Sequence, residues 1–154
     1  MSNILQQAAL IVLIGAFVGV AGNQTSPRGI PLIAPPKIVS ATSEFITLEE
    51  AKALWLGGAS VFLDAREPVD FLAGHIGNAF NLPAQSFEQH FGEVAPMLSP
   101  GSGLVLYCDG RECELSHRLQ ASLHQLGYTN THILFNGWSA WREAGLPTAQ
   151  GGLR

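Results

Sequence analysis

From about residue 44 onward, apolar and polar positions come in blocks that switch between two periods. Thr47-Leu48-Glu49-Glu50 has the form of a capping box, with Thr47 as N-cap and Glu50 three residues on. The helix it predicts carries Leu48, Ala51, Leu54 and Trp55 on one side and stops at Gly57-Gly58. Ser60 to Leu63 reads as a short apolar strand, followed by Asp64-Ala65-Arg66. Pro68 opens a brief helix ending at Gly74, and Ala79 to Leu82 is a second strand closed by Pro83. Ser86 and Gln89 are spaced as another capping box, ahead of Phe87, Phe91 and Val94 at helical spacing. Gly103 to Tyr107 reads as a fully buried strand. After a turn-rich segment, Leu115, Leu119, Leu123 and Leu126 stripe one helix, which Gly127 ends. His132 to Phe135 is the last clear strand, and Trp138 to Ala144 a final helix. Strands alternating with helices predict an α/β domain, a parallel sheet with helices on both faces.

The N-terminus follows another pattern. Leu5 to Gly22 has no charged residue, and Ala8 to Gly22 is almost continuously apolar. With Ile4 and Leu5 the run reaches the roughly 17 to 20 residues that a bilayer-spanning helix needs. Residues 1–22 are therefore expected to form a transmembrane anchor, in contact with lipid through residues 4–22. A signal peptide is the alternative: Val20-Ala21-Gly22 suits cleavage, although Met1-Ser2-Asn3 carries no Lys or Arg. Residues 23–43, with Pro27, Pro31, Pro35 and Pro36, read as an extended linker. Residues 44–148 form the domain and 149–154 a tail. Arg28 and Lys37 favour a cytoplasmic C-terminal side. A short anchor ahead of a catalytic domain favours export. The expectation is a single-pass protein of the cell membrane with its domain on the extracytoplasmic, periplasmic side.

Charge and cysteine content narrow the chemistry. The net charge of −4 offers no basic footprint for nucleic acid. The two cysteines, Cys108 and Cys113, are too few for a disulfide framework or a Cys-rich zinc site, so no metal and no cofactor is expected. Both fall within one six-residue window.

In an open parallel sheet, reactive groups gather beyond the carboxyl ends of the strands. Cys108 stands there, between the strand Leu104–Tyr107 and the loop Asp109-Gly110-Arg111-Glu112-Cys113, which leads into the Leu-striped helix. Such a junction turns backbone N–H groups inward and, with the helix dipole, stabilises a thiolate. Cys108 is the candidate nucleophile.

Four ordered segments carry a family resemblance. They are Asp64-Ala65-Arg66-Glu67-Pro68; Gly74-His75-Ile76-Gly77-Asn78-Ala79-Phe80-Asn81-Leu82-Pro83; Tyr107-Cys108; and Asn136-Gly137-Trp138-Ser139-Ala140-Trp141 with Ala144-Gly145-Leu146-Pro147. Over about Thr42 to Pro147 the chain resembles single-domain rhodanese-like sulfurtransferases. The resemblance implies a five-stranded parallel sheet and a cysteine persulfide, formed from a sulfane-sulfur donor and passed to a nucleophilic acceptor such as cyanide or a thiol. Cys108 is then the sulfur acceptor, the amides of Asp109 to Cys113 cradle the persulfide, and Asp64 and Arg66 brace the loop. For His75 a framework hydrogen bond is implied. His90, His117, His124 and His132 are scattered. Trp138 and Trp141 read as core aromatics, with Trp138 a candidate for the pocket mouth.

Three departures qualify this. Gly77-Asn78 replaces the family's usual Pro-Gly turn. The loop itself is acidic: Asp109, Glu112 and Glu114 face a single Arg111. Each nearby carboxylate opposes a thiolate and an anionic donor by roughly 1 kcal/mol, which disfavours thiosulfate. Cys113 is the third departure: a thiol there could resolve a Cys108 persulfide or sulfenate into a disulfide. Three functions follow: a membrane-tethered sulfurtransferase or persulfide carrier, a thiol–disulfide redox protein using Cys108 and Cys113, or a non-catalytic module recruiting a membrane redox or sulfur-handling partner. Phosphatase chemistry is disfavoured, because Glu114 stands where an oxyanion-binding Arg is needed.

Overall fold

The computed structural model describes residues 2–25, 44–99, 101–110 and 114–152. The chain divides into two compact units, Met1–Lys37 and Ile38–Arg154. In the first, α1 (Ser2–Thr25) carries no charged side chain, and its Leu10, Ile11, Val12, Leu13 and Ile14 are exposed. The expected membrane-spanning helix is not found: among the described residues, no helix is long and apolar enough to cross a membrane. Gln6 and Gln7 interrupt the apolar run. From Ala8 to Gly22 it rises only about 22 Å, against a hydrocarbon core of about 30 Å. The linker expected at 23–43 lies almost wholly outside the described residues.

The second unit is built on a five-stranded parallel sheet. Its strands are β1 (Phe45–Ile46), β2 (Ser60–Asp64), β4 (Phe80–Asn81), β5 (Gly103–Tyr107) and β6 (Thr131–Leu134). They run in the spatial order β1-β6-β5-β2-β4, with β5 at the centre. A separate antiparallel pair joins β3 (His75–Ile76) to β7 (Thr148–Ala149). The helices are α2 (Leu48–Gly57), α3 (Pro68–Ala73), α4 (Phe87–Val94), α5 (Glu114–Gln125) and α6 (Gly137–Glu143).

Local rules explain most of these boundaries. The Thr47–Glu50 capping box starts α2, with both reciprocal bonds made, and Gly58 ends it at φ 62°. The box expected at Ser86 and Gln89 is absent. Ser86 closes a 3₁₀ turn (Ala84–Ser86) and caps nothing; its hydroxyl instead lies 3.2 Å from His90 Nδ1. The strand expected over Ala79–Leu82 keeps only its two central residues.

Alternation along β5 separates two cores. Leu104, Leu106 and Cys108 pack with Leu63, Leu82, Leu119, Leu123 and Ile133. Val105 and Tyr107 point the other way, to Phe62, Phe71, Ile76, Leu134, Trp138 and Trp141. The sheet is buried on both sides, which is why its central strands read as unbroken apolar runs.

Candidate functional site

The register places the end of β5 beside its neighbours: Tyr107 pairs with Asp64 on one side and with Leu134 on the other. Cys108 therefore emerges at the carboxyl edge of the central strand, where the sequence placed it. Its surroundings differ from a solvent-facing thiol. The residue is 1% exposed, packs within the apolar cluster of Leu119 and Leu123, and is disulfide-bonded. The chain's other cysteine is Cys113. It lies outside the described residues, as do Arg111 and Glu112, so most of the expected amide cradle is not seen.

Two backbone bonds fix the strand end. The Ala65 N–H donates to the Tyr107 carbonyl at 2.9 Å, and the Trp138 N–H donates to the Cys108 carbonyl at 3.1 Å. The loop thus begins between the end of β2 and the first turn of α6. Gly110, at φ 92°, adopts a backbone conformation that favours glycine. Its N–H donates to Asp109 Oδ1 at 3.0 Å, and the same oxygen accepts the Ser139 hydroxyl at 2.6 Å. Glu114, exposed at the start of α5, pairs with Arg118 one turn on at 2.6 Å.

Asp64 and Arg66 form a buried, bidentate ion pair with contacts of 2.6 to 3.2 Å. Arg66 also donates to the Gly74 carbonyl at 2.7 Å, tying the end of β2 to the end of α3. Burial alone would lower the Arg66 guanidinium, but the hydrogen bond and charge of Asp64 outweigh it, and its pKa is raised. The Arg66 guanidinium lies 5.0 Å from the Trp138 ring, and that of Arg142 lies 5.7 Å from it. Trp138 is buried, and a Cβ on Gly74 would come within 2.8 Å of its ring.

Tyr107 joins this network from the central strand. Its hydroxyl accepts the Ile76 N–H at 3.1 Å and feels the Asp64 carboxylate. Burial, reinforced by the Asp64 charge, pushes its phenol well above the ordinary range. His75 is a framework residue: its Nδ1 lies 2.8 Å from the Phe71 carbonyl and its ring stacks on Phe71 at 3.7 Å. His90 faces Ser86, His117 pairs with Glu44, and His124 reaches Thr131.

The structure brings the expected Asp64 and Arg66 together at the end of β2, next to the strand that ends at Cys108, and adds Tyr107, Ser139 and Arg142, to which the sequence reading gave no role. Tyr107 and Ser139 stood within the segments that carry the family resemblance, and Tyr107 is also a hydroxyl at the end of an otherwise apolar buried strand. Among the described residues no group of His, Cys, Asp and Glu could hold a metal ion. A groove of about 610 Å³ between α4 and the end of α5, lined by Phe87, Phe91, Ser122 and Gln125, does not include Cys108, Asp109, Asp64 or Arg66. Chemistry and cavity do not coincide here. The strand-end geometry is the better guide, because the groove is lined by no cysteine and no basic residue.

Comparison with known proteins shows the family of the domain. A family model described as a rhodanese-like domain matches residues 47–144. A tRNA uridine(34) hydroxylase of Photorhabdus laumondii is 29% identical over 117 residues, covering 70% of this chain and 32% of the hydroxylase. An uncharacterised protein of Synechocystis sp. is 34% identical over 98 residues, 60% of this chain and 48% of that protein. The chain thus spans about a third to a half of the curated relatives it matches. A crystal structure of thiosulfate sulfurtransferase from Pseudomonas aeruginosa superposes with a TM-score of 0.58 at 29% identity, covering 70% of this chain and 20% of that one.

Proposed function

The chain belongs to the rhodanese-like domain family, and on that premise we propose that it transfers sulfane sulfur through Cys108. The observation that carries the reading is the placement of Cys108 at the carboxyl edge of the central strand, its carbonyl held by α6. The reduced Cys108 thiolate attacks the outer sulfur of a donor, and the donor's remaining sulfur leaves with the electron pair of the broken S–S bond. The resulting persulfide is attacked at its terminal sulfur by an acceptor thiolate. That sulfur moves to the acceptor and Cys108 leaves as thiolate, with no net oxidation. The partners are a small sulfur donor and a thiol, free or on a protein. The acidic residues around the loop favour a donor less anionic than thiosulfate.

The test is mass spectrometry of the reduced protein after incubation with several sulfane-sulfur donors. Trypsin cleaves after Arg111 and so separates Cys108 from Cys113. A gain of about 32 Da, one sulfur atom, is expected on the peptide carrying Cys108 and is lost in Cys108→Ser. No adduct from any donor would overturn the reading.

One observation favours a second reading: Cys108 is disulfide-bonded. In it Cys108 and Cys113 form a redox couple. An external thiolate attacks the disulfide, a mixed disulfide forms, and a second thiolate displaces it, leaving two protein thiols and an oxidised reductant. Titration across a redox-buffer series decides the matter; the reading fails if the two cysteines never bond to each other.

Location rests on α1. Its exposed Leu10, Ile11, Val12, Leu13 and Ile14 form a surface disfavoured in water and suited to lipid, which supports attachment to the cell membrane; the extracytoplasmic face is our proposal for the domain from the order of a short apolar segment followed by a domain. Recovery of the intact chain in the soluble fraction would remove this proposal, as would protection of the domain from protease added outside spheroplasts.

A further inference from the structure

A carboxylate directly after a reactive cysteine is an electrostatic problem. At Asp109 it would oppose both the thiolate and the anionic persulfide that the proposed transfer requires. The structure shows how the carboxylate is held. Side chains alternate across the sheet at the end of β5: Cys108 enters the Leu119 and Leu123 cluster, whereas Tyr107 faces the Trp138 and Trp141 cluster. Asp109 follows Tyr107 to that second face, where Oδ1 accepts the Ser139 hydroxyl at 2.6 Å from α6.

The neighbouring bond makes this a two-point attachment. Trp138 binds the Cys108 carbonyl through its N–H, and Ser139 binds the Asp109 carboxylate through its hydroxyl. Two consecutive residues of α6 therefore hold two consecutive residues of the loop. The helix start that does the holding is itself confined. A Cβ on Gly137 would come within 2.6 Å of the Tyr107 Cβ, and Trp138 packs against Gly74 beneath Arg66 and Arg142.

Two other described carboxylates near the site are already matched, while Glu67, ahead of α3, has a buried oxygen with no hydrogen-bond partner. Asp64 of β2 pairs with Arg66, and Glu114 of α5 with Arg118. Arg142 of α6 lies over Trp138. The described partners of Asp109 are neutral, the Gly110 N–H and the Ser139 hydroxyl. Position, in place of an opposite charge, limits its effect.

We propose that Ser139 is a positioning residue whose hydroxyl keeps the Asp109 carboxylate on the face of the sheet opposite Cys108, so that its negative charge stays off the sulfur. The inference rests on Cys108 being the reacting sulfur, but its test does not require sulfur transfer. In the fully reduced, full-length protein, alkylation of Cys108 by neutral iodoacetamide is followed against pH, read on the tryptic peptide that ends at Arg111. Ser139→Ala is expected to raise the apparent pKa of Cys108 by roughly half a unit and slow alkylation at neutral pH about threefold. Ser139→Thr, which keeps the hydroxyl, restores the wild-type profile.

The decisive arm is Asp109→Asn. With the charge gone, Ser139→Ala should have no further effect, because its influence acts through that carboxylate. A Ser139→Ala profile identical to wild type would overturn the proposal. So would the same shift persisting in the Asp109→Asn background, which would mean that the hydroxyl acts by another route. Equal thermal stability of all variants excludes general loosening. If wild-type Cys108 alkylates as predicted but never gains sulfur, the sulfur-transfer reading fails while the role of Ser139 stands.

Discussion

The two faces of the sheet are built from opposite materials. On the Cys108 face the cluster is apolar: Leu63, Leu82, Leu104, Leu106, Leu119, Leu123 and Ile133 share it with Cys108. On the Trp138 face, Phe62, Phe71 and Trp141 share the interior with the Asp64–Arg66 pair, the Tyr107 hydroxyl and His75. Beside the end of β5 the first face is held by area and shape, its directional bonds lying farther off where Gln120 and His124 of α5 meet Thr131; the second is held by directional bonds at fixed distances. The difference shows where the active loop gets its geometry. A cluster of leucines can bury a sulfur but cannot aim a backbone. The bonds to the loop's first residues come from the polar face, through Trp138 and Ser139.

If that division is correct, the faces should fail differently. The largest effect is expected from Asp64→Ala, which leaves the Arg66 guanidinium buried without its partner. A loss of about 3–5 kcal/mol follows, read as a fall of more than about 10 °C in Tm. Leu104→Ala on the opposite face removes a fully buried side chain at the far end of β5 from Cys108 and should cost about 2–4 kcal/mol. Stability alone barely separates the two; loop chemistry does. At temperatures where each variant remains folded, Leu104→Ala should keep a near-native pH profile of Cys108 alkylation, whereas Asp64→Ala should alter it. Equal profiles would mean that the polar face does not position the loop.

Gly137→Ala tests the same division at a single methyl group. The added Cβ meets the Tyr107 Cβ at 2.6 Å, and neither α6 nor the central strand can move far. Overpacking of this kind costs about 1–3 kcal/mol, checked by denaturant titration. It should also weaken the bond from the Trp138 N–H to the Cys108 carbonyl, slowing hydrogen exchange less than in the wild type at that amide. A destabilised protein with wild-type protection at Trp138 would sever the link between α6 placement and the loop.

How much of this could be read from the sequence follows the same split. The apolar face was legible, because the runs at Ser60–Leu63 and Gly103–Tyr107 and the Leu115 to Leu126 stripe carry strong periodicity. The position of Cys108 followed from where the run ends and the stripe begins. The two-residue strands at Phe45–Ile46, His75–Ile76 and Thr148–Ala149 are too short to show a period, and the strand order depends on contacts that no local pattern records. The Ser139–Asp109 bond joins residues 30 apart in sequence, each of an ordinary type for a helix start or a turn. The near-complete burial of Cys108 was hidden because a single cysteine ending an apolar run looks the same whether it faces solvent or core. At the N-terminus, composition suggested a span that Gln6 and Gln7 make too short.

The smallest expected effect is the one whose sign the structure fixes most directly. Tyr107→Phe removes a hydroxyl that accepts from the Ile76 N–H beside the Asp64 charge, at a cost of about 1 kcal/mol near neutral pH. Burial and the Asp64 charge raise the folded-state phenol well above its ordinary value of 10.0. The unfolded chain therefore loses this proton at lower pH than the folded one. The stability tied to the neutral phenol is fully present below about pH 10 and is lost as pH rises through the folded value. Wild type should exceed Tyr107→Phe by a constant margin at lower pH, and the margin should shrink above about pH 10, because phenylalanine has no proton to lose. Tm measured for both proteins from neutral to strongly alkaline pH gives the difference curve. A margin that stays flat at high pH would show that Tyr107 is not the buried, Asp64-facing phenol that makes the polar face directional.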